Sequence, residues 1–476
     1  MPKGIFIAGS LTNASDGATL AVIDPSTGGH LGTIPDASPS DVDAIVSSAK
    51  HASAAWADTP WAKRSAALRE FADVISANVD DLALLDALDS GNPFGSMRTD
   101  VLGAAEEIRY FAGIAPETKG RTFPSGPDAL TYTEFVPYPV VARIVPFNHP
   151  LKFAAAKSAA PLAAGCSVVV KPSEHTSLSA LRLAELAQDV FPLGVWNVVT
   201  GTGARSGAAL AGHPDVPRVA FTGSVPTGRQ ITEAGNQDFK HVSLELGGKN
   251  PFIVFPDADP EAAAAGAVAA MNLSRSTGQS CGSTSRIFVH RDVQDVFLSA
   301  LLEKVATLRI GDPMDPRTEM GPLAFEKHYE NVLSYVDAGL KDGARLAFGG
   351  NRPEELSPGY FLEPTVFVDV DMSMRIAREE IFGPVMSVLV WDDLEKMIAE
   401  ANSLEFGLTA SIWTHDISKA LRTARRVESG YVTINGTGGR PLGAPFGGFK
   451  SSGIGKESAL DELLSYGREK TVTVRF

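Results

Sequence analysis

Hydrophobic residues recur along this chain with two periods, and the pattern changes at about Val140. Before that position, apolar residues spaced three and four apart predict amphipathic helices at about 41–56 and 65–88. After it, short apolar runs alternate with helical patterns: strands at 140–145, 167–171, 196–199, 218–222 and 242–246, and helices at 151–164, 177–190, 205–211 and 225–234. This alternation predicts a parallel sheet that is covered by helices on both faces and binds ligands at the carboxyl ends of its strands.

A second alternating region spans about 250–446, with helices at 262–272 and 296–308 and a strand at 285–290. The last residues, 470–476, alternate apolar and polar side chains in the manner of a half-exposed strand. A terminal strand of this kind is expected to pair with another segment or another subunit.

Composition narrows the class of protein. The chain has 42 basic and 56 acidic residues, spread along its length, which favours solubility and argues against a nucleic-acid partner. Two cysteines in 476 residues do not form a disulfide framework and indicate a reducing compartment. The first nine residues lack the apolar core of a signal peptide, and no apolar run approaches the roughly 20 residues of a membrane span. A cytoplasmic enzyme without a membrane partner is expected.

The two cysteines lie in different contexts. Cys281 follows a helical pattern and is flanked by small, polar and glycine residues (Gly-Gln-Ser-Cys-Gly), which favours an accessible thiol on a loop. An isolated cysteine, however, is more often a buried, inert residue. Cys166 lies in an apolar context and is interpreted as structural.

Polar residues at predicted strand ends are the other candidates for chemistry. Glu245 ends an apolar strand and precedes two glycines; burial there would raise its pKa and suit a general base, although an ion pair with Lys249 explains it as well. Asn148 is an amide among apolar and proline residues, placed to donate to an oxyanion or simply to form a turn.

Two further strand ends are suited to a dinucleotide. The segment 221–228 (Phe-Thr-Gly-Ser-Val-Pro-Thr-Gly) joins a strand to a helix, so its glycines and the helix N-terminus can approach a phosphate. Lys171 and Glu174 end another strand, where they can hydrogen-bond the hydroxyls of an adenosine ribose. Each segment alone is also consistent with an ordinary surface turn.

Taken together and in order, these segments resemble the aldehyde dehydrogenase superfamily over essentially the whole chain. The motifs that carry the resemblance are Glu-Leu-Gly-Gly-Lys at 245–249, Gly-Gln-x-Cys at 278–281, Glu-Glu-x-Phe-Gly-Pro at 379–384 and the segment 445–453. Their joint occurrence is highly specific.

The resemblance implies a role for each matching residue. Cys281 would be the nucleophile, Glu245 the general base, Asn148 an oxyanion donor and Lys157 a residue for water and proton handling. It implies NAD as cofactor and no metal. The residues expected to bind NAD are Pro146, Phe147, Lys171, Glu174, Gly203, Gly207, Phe221, Thr222, Gly223, Ser224, Leu246, Glu380 and Phe382.

The implied fold class is α/β, with three parts. A Rossmann-type NAD-binding domain is expected at 1–114 and 138–247, a catalytic α/β domain at 248–447, and a small β oligomerisation arm at 115–137 and 458–476. Members of the superfamily are dimers or tetramers, so a homodimer or homotetramer is expected.

The implied reaction oxidises a small aldehyde to a carboxylic acid through a thiohemiacetal and a thioester on Cys281. The alternatives are a CoA-acylating semialdehyde dehydrogenase, which usually lacks the glutamate base, a cofactor-free cysteine hydrolase, which would want a histidine partner, and a structural protein on the same fold. The chain departs from many relatives at Phe147 and His149, in the run 272–277, and in Asp-Ser-Gly-Asn-Pro at 89–93, so the substrate is left open.

Overall fold

The computed structural model describes residues 4–437 and 439–476. The strands, in chain order, are β1 (Ile5–Ile7), β2 (Ser10–Thr12), β3 (Thr19–Ile23), β4 (His30–Pro35), β5 (Thr122–Phe123), β6 (Ala129–Pro137), β7 (Val140–Ile144), β8 (Ser167–Lys171), β9 (Trp196–Val198), β10 (Arg218–Thr222), β11 (His241–Glu245), β12 (Pro251–Val254), β13 (Arg286–His290), β14 (Arg345–Phe348), β15 (Thr365–Val368), β16 (Val385–Trp391), β17 (Thr409–Trp413), β18 (Tyr431–Ile434), β19 (Gly453–Ile454) and β20 (Gly467–Arg475). The α-helices are α1 (Pro39–Ala57), α2 (Trp61–Ala77), α3 (Val79–Ser90), α4 (Phe94–Ile114), α5 (Pro150–Ala164), α6 (Leu178–Leu186), α7 (Ala208–Gly212), α8 (Val225–Asn236), α9 (Pro260–Ala270), α10 (Leu273–Ser276), α11 (Gln294–Ala306), α12 (Glu326–Lys341), α13 (Arg375–Arg378), α14 (Leu394–Asn402), α15 (Ile417–Arg426) and α16 (Leu460–Leu464).

The first large sheet has the strand order β19-β11-β10-β7-β8-β9-β1-β2. Its middle, from β11 to β9, is parallel, and β19 and β1 add to the two sides in the antiparallel sense. Strands β7, β8 and β10 are buried along their whole length because α2, α4 and α5 pack on one face and α1, α7 and α8 on the other. The predicted α/β class with a doubly covered parallel sheet is confirmed.

The second sheet has the order β14-β15-β16-β13-β12-β17-β18 and is parallel except for the β14–β15 pair. Helices α9 and α11 pack on one face, and α12, α13 and α14 pack on the other. The two sheets meet through the loop from Leu246 to Asn250, which leaves β11 of the first sheet and enters β12 of the second.

The predicted terminal strand extends further than expected. β20 begins at Gly467 and pairs in antiparallel register with β6 over nine residues, from Gly467 opposite Pro137 to Arg475 opposite Ala129. β5 adds to the other side of β6, so β20 forms an edge of this small sheet. Leu463 and Tyr466, just before β20, are buried in the core around α5. The domain boundaries given above remain predictions.

One predicted helix is two helices in the structure. The segment expected to be continuous at 65–88 breaks at Asn78, whose φ and ψ of −117° and 29° lie outside the helical region. The Asn78 side chain donates to the Val74 carbonyl at 2.8 Å, a local bond that competes with the backbone ladder. The predicted helix 205–211 also differs, because it starts with a wider turn at Gly203–Gly207. None of the helices in the described residues is long and apolar enough to cross a membrane.

Candidate active site

Backbone geometry holds the loop that carries Cys281. After α10 the chain turns through Thr277 and Gly278, both with positive φ, at 54° and 75°. A Cβ at Gly278 would lie 2.4 Å from the Gly383 carbonyl oxygen, so this position accepts only glycine. The Gln279 side chain donates to Ser276 and accepts from the Ala324 N–H. The thiol is therefore presented by a tightly constrained turn.

Glu245 faces this thiol. It is the last residue of β11, is 5% exposed, and lies with Oε2 4.0 Å from the Cys281 Sγ. Within the described residues its Oε1 has no hydrogen-bond partner. Burial, together with the charge of nearby Glu457, raises the pKa of Glu245 to about 8. A carboxyl group with such a pKa exchanges protons readily near neutral pH.

The pKa of the Cys281 thiol is raised well above its ordinary value, first by burial and then by the Glu245 carboxylate. Arg440 acts in the opposite direction and lowers the pKa. Ionisation of Cys281 is thus coupled to the protonation state of Glu245. Cys166, by contrast, is fully buried, and burial raises its pKa to about 12, as expected of an inert cysteine.

Asn148 lies between β7 and α5, at the carboxyl edge of the first sheet. Its Nδ2 donates one hydrogen to the Gln279 carbonyl at 2.8 Å, two residues from Cys281. Asn92 holds the Asn148 backbone by donating to its carbonyl at 2.9 Å. Since an amide nitrogen carries two hydrogens, the second is free to bind another acceptor.

Lys157 is placed in a buried ionic network, two turns further along α5. Its Nζ lies 3.2 Å from carboxylate oxygens of both Glu107 and Glu457. Arg143 pairs with the same Glu457 at 3.1 Å. The two carboxylates raise the pKa of Lys157 despite its burial, which keeps the side chain cationic. The structure therefore brings Cys281, Glu245 and Asn148 together. Lys157 lies in the neighbouring ionic network, and its charge lowers the pKa of Glu245.

The residues expected to bind a dinucleotide follow neighbouring strand ends. Pro146 and Phe147 follow β7, Lys171 ends β8, and Phe221 and Thr222 end β10. Lys171 is buried and its Nζ lies 3.3 Å from the half-buried Glu174. The Gly203 N–H is 3.4 Å from the other Glu174 oxygen. Gly207 leaves space beside the Lys171 chain, where a Cβ would be 3.8 Å from Cε.

The turn after β10 leads directly into α8. The Gly223 N–H donates to the Glu245 carbonyl at 3.0 Å, and the Ser224 side chain caps α8 by accepting from Thr227. The Leu246 side chain packs against Gly228, where a Cβ would approach it to 2.9 Å. The first N–H groups of a 12-residue helix and the strand ends thus face one cleft.

Glu380 and Phe382 reach this cleft from the second sheet. The Gly248 N–H donates to Glu380 at 3.0 Å, and a Cβ at Gly247 would lie 1.9 Å from the Glu380 carboxylate. Burial raises the pKa of Glu380 to about 7. Lys249 is buried, and its Nζ has no hydrogen-bond partner among the described residues. Burial lowers its pKa to about 7, while the charge of Glu380 acts to raise it. The ion pair between Glu245 and Lys249 that the sequence left open is therefore wrong.

Sequence reasoning missed three aromatic residues of the cleft. The His175 ring stacks on Phe325 with centroids 3.8 Å apart, and Phe325 packs edge-on against Phe147 at 5.2 Å. The His328 Nε2 lies 2.8 Å from the Phe382 carbonyl oxygen, and burial lowers the pKa of His328 to about 4. Phe325 and His328 carry no local motif. Phe325 directly precedes α12 with an extended backbone and His328 lies in the first turn of that helix, so no periodic pattern singles them out.

The arrangement combines a thiol, a carboxyl group of raised pKa and an amide donor with a cleft suited to a dinucleotide. In the described parts of the chain, no cluster of three or more His, Cys, Asp or Glu residues is arranged to hold a metal ion. Such a site can form a covalent thioester from a carbonyl compound and hydrolyse it.

Comparisons with known proteins place the chain in a family. The profile of the aldehyde dehydrogenase family matches residues 12–472. The chain is 44% identical over 475 residues to hydroxyisobutyraldehyde dehydrogenase of Mycolicibacterium austroafricanum, covering 99% of this chain and 94% of that protein. It is 43% identical over 462 residues to aldehyde dehydrogenase tropH of Talaromyces stipitatus, covering 95% and 89%. The NAD+ complex of a Bacillus cereus aldehyde dehydrogenase superposes with a TM-score of 0.96 at 40% identity, covering 100% of this chain and 97% of that one.

Proposed function

Because the chain belongs to the aldehyde dehydrogenase family, we propose that it oxidises an aldehyde to a carboxylic acid with NAD, using Cys281 as nucleophile and Glu245 as general base. The observation that carries the proposal is the approach of the Glu245 carboxylate to 4.0 Å from the Cys281 sulfur. The thiol needs no histidine partner of the kind found in cysteine hydrolases, because in this proposal the base is the carboxyl group of Glu245.

The first half of the reaction is addition. Cys281 transfers its proton towards Glu245, and the sulfur forms a bond to the aldehyde carbon to give a thiohemiacetal. The oxygen that becomes negative accepts hydrogen bonds from the free Nδ2 hydrogen of Asn148 and from the Cys281 backbone N–H. NAD, when bound, supplies the hydride acceptor that converts this adduct to a thioester.

The second half is hydrolysis. Glu245 first releases to solvent the proton that it took from Cys281. It then removes a proton from a water molecule, the oxygen of which attacks the thioester carbon, and the Cys281 sulfur leaves as a thiolate that takes this proton back from Glu245. The raised pKa of Glu245 suits both the acceptance and the release of a proton near pH 7. Lys157 would act indirectly. Its positive charge pairs with Glu457 and so offsets the charge of Glu457 near Glu245 while the proton moves.

The cleft residues fit NAD. Lys171 and Glu174 would hold the adenosine ribose, Gly203 and Gly207 leave room for it, and the N-terminus of α8 with Gly223 and Ser224 would face the pyrophosphate. Glu380 would bind the nicotinamide ribose, with Phe382 and Leu246 beside it. The lack of a side chain at Gly247 supports this role of Glu380, since a side chain there would displace the Glu380 carboxylate.

A direct test is to mix enzyme, NAD and benzaldehyde or hexanal, quench in acid, and measure intact mass. We expect an acyl adduct on Cys281, and free carboxylic acid in an amount equal to the NADH formed. Formation of acyl-CoA in place of free acid when CoA is added would favour the CoA-acylating alternative. A lack of both NADH and adduct with a broad panel of aldehydes would contradict the proposal and favour a structural role.

Two further properties belong to the proposal. The edge strand β20 suits pairing between subunits in a homodimer or homotetramer, which light scattering at micromolar concentration measures. The two cysteines are both unbridged, which is consistent with a cytoplasmic location, where thiols stay reduced.

A further inference from the structure

One face of α4 carries a row of residues that runs outward from the catalytic centre. Asp100, Gly103, Glu107 and Tyr110 are spaced three and four apart, so they lie on the same side of the helix. Glu107 pairs with Lys157 behind the nucleophile. Asp100 is at the other end of the row. There, Arg275 of the segment before Cys281 and His149 at the start of α5 both contact α4.

Asp100 is completely buried, and three basic side chains surround it. His149 lies 2.5 Å from its carboxylate, Lys152 lies 3.4 Å away, and Arg275 contacts it directly. These contacts hold the pKa of Asp100 well below its usual range, while burial lowers the pKa of His149. Burial lowers the pKa of Lys152, and the charges of Asp100 and Glu107 act in the opposite direction. Because Glu107 is itself paired with Lys157, the one negative charge of Asp100 faces two basic side chains, Lys152 and Arg275, which leaves an excess positive charge.

The excess charge faces outward. The carboxylate of Asp100 is 0% exposed, whereas the side chains of Lys152 and Arg275 are 24% and 41% exposed. Solvent and small molecules thus meet the cationic ends of these side chains. This is unusual in a chain with a formal net charge of −14.

Arg440 adds a third cation from the other side. Its guanidinium stacks on the Phe446 ring at 3.7 Å. The segment it belongs to crosses α4 at Gly443, where a Cβ would lie 2.9 Å from the Tyr110 hydroxyl. The charge of Arg440 lowers the pKa values of both Cys281 and Lys152, which puts it within electrostatic reach of the thiol and of the other cations.

The first two of these cations also lie close in the chain to the residues at the thiol. Lys152 lies in the first turn of α5, which begins two residues after Asn148. Arg275 lies in α10, six residues before Cys281. Two of the departures from the family pattern, His149 and the run 272–277, fall at this place.

We propose that Lys152, Arg275 and Arg440, the cationic entrance, bind a carboxylate at the far end of the substrate, so that the enzyme prefers aldehydes that carry an anionic group. The inference rests on the proposed function, because it names the substrate class of that same site. Bidentate arginine contacts and a lysine ammonium are the groups that recognise carboxylates in proteins. The product would then be a dicarboxylate.

The test compares matched pairs of aldehydes that differ only in the distal group: 4-oxobutanoate with butanal, 6-oxohexanoate with hexanal, and 4-carboxybenzaldehyde with 4-methylbenzaldehyde. For at least one pair we expect kcat/KM to be roughly 10- to 100-fold higher for the anionic member, mostly through KM, as one charge-assisted contact provides. The ratio should fall as ionic strength rises, since exposed charges are screened.

Arg440→Gln identifies the residue responsible. The change should lower kcat/KM about 10-fold more for the preferred anionic aldehyde than for its neutral partner, and any loss common to both follows from the effect of Arg440 on the pKa of Cys281. The matched control is Arg69→Gln, which removes an exposed arginine of α2 and should leave both values as they are in the wild type. Lys152→Gln should act in the same direction as Arg440→Gln.

Each outcome bears on a different statement. Equal kcat/KM within every pair would overturn the cationic entrance while the proposed function stands. Equal losses of kcat/KM for anionic and neutral aldehydes in Arg440→Gln would also overturn it, because Arg440 would then act only on the reacting groups and not on the distal carboxylate. An absence of NADH with both members of every pair would contradict the proposed function itself, and this inference with it.

Discussion

Two groups of buried charged residues lie side by side near Cys281, and they differ in whether their charges are paired. In the first, Lys157 and Arg143 make contacts of 3.1–3.2 Å with Glu107 and Glu457. In the second, Glu245 has one oxygen without a hydrogen-bond partner among the described residues and another 4.0 Å from a thiol. Both groups are almost fully buried.

The difference shows how pairing, at equal burial, sets the ionisation state. The paired group lowers the pKa of Glu457 to about 2 because Lys157 and Arg143 outweigh burial, so it stays charged. Burial dominates at Glu245 and raises the pKa to about 8. A group with its charges satisfied is rigid and inert to proton exchange, while the neighbouring unsatisfied group can exchange protons.

Removing the Cys281 thiol beside the unpaired carboxyl group should have the largest effect. We expect Cys281→Ala to lower dehydrogenase turnover at least about 1000-fold, because no other nucleophile lies beside Glu245 in the described site. NAD binding, followed by fluorescence titration, should stay close to that of the wild type. Cys166→Ala is the matched control and should retain activity per folded molecule. Turnover of Cys281→Ala above a thousandth of the wild-type value would contradict the assignment.

Glu245→Gln keeps the shape of the unpaired group and removes its basicity. Acylation should survive where Cys281 still ionises, whereas water attack on the thioester should slow by about 10²–10⁴-fold, the usual contribution of a general base. Rapid mixing should then show a stoichiometric burst of NADH followed by a slow phase. If Glu245 also deprotonates Cys281, the burst itself slows and recovers at higher pH. Steady-state turnover like that of the wild type would exclude Glu245 from the mechanism.

The paired group can be broken by Lys157→Met. The change leaves Glu107 and Glu457 buried without their shared cation, which should cost about 3–5 kcal/mol of stability. The matched control is Arg98→Met, because the Arg98–Asp80 pair is exposed and should be worth less than about 1 kcal/mol. Urea unfolding of the two variants measures the difference. Equal losses of stability would mean that burial does not make the Lys157 network more important for stability than the exposed Arg98–Asp80 pair.

The pH dependence of stability sharpens the comparison further. Folding raises the pKa of Glu245 from 4.5 to about 8, so the folded state binds a proton that the unfolded chain releases. The resulting stabilisation is complete below pH 4.5 and is lost as the pH rises through about 8. Glu245→Gln lacks this loss, and its melting temperature relative to the wild type should increase between pH 5 and pH 9. A constant difference over that range would mean that Glu245 is not buried as an acid.

The smallest effect is expected at Lys171 and Glu174, where Lys171 is buried and Glu174 is only half buried. Glu174 would repel the 2′-phosphate of NADP at a cost on the order of 1 kcal/mol. We expect NAD to be preferred, and Glu174→Gln to reduce the preference in kcat/KM by about 5- to 10-fold. Equal kcat/KM for the two cofactors in the wild type would remove Glu174 from this role.

The sequence by itself determined the order of strands and helices and the residue types at strand ends. Periodicity predicted β8 and β10 with their observed bounds, because fully buried parallel strands are continuous apolar runs between breaks. Glu245 and Asn148 could be singled out because each is a polar residue that interrupts an apolar run, and Cys281 because small, polar and glycine residues flank it. The division of one predicted helix at Asn78 was missed, since it depends on a single side-chain bond to the backbone.

Only the tertiary structure decided which charges meet. The four residues Lys157, Glu107, Glu457 and Arg143 are separated by up to 350 positions in the chain, and no local pattern links them. The same holds for Arg440 and Lys152, and for the aromatic residues Phe325 and His328 against Phe147. The pairing of buried charges is set by distances of a few ångströms across separate elements, and these distances fix the pKa values on which the chemistry depends.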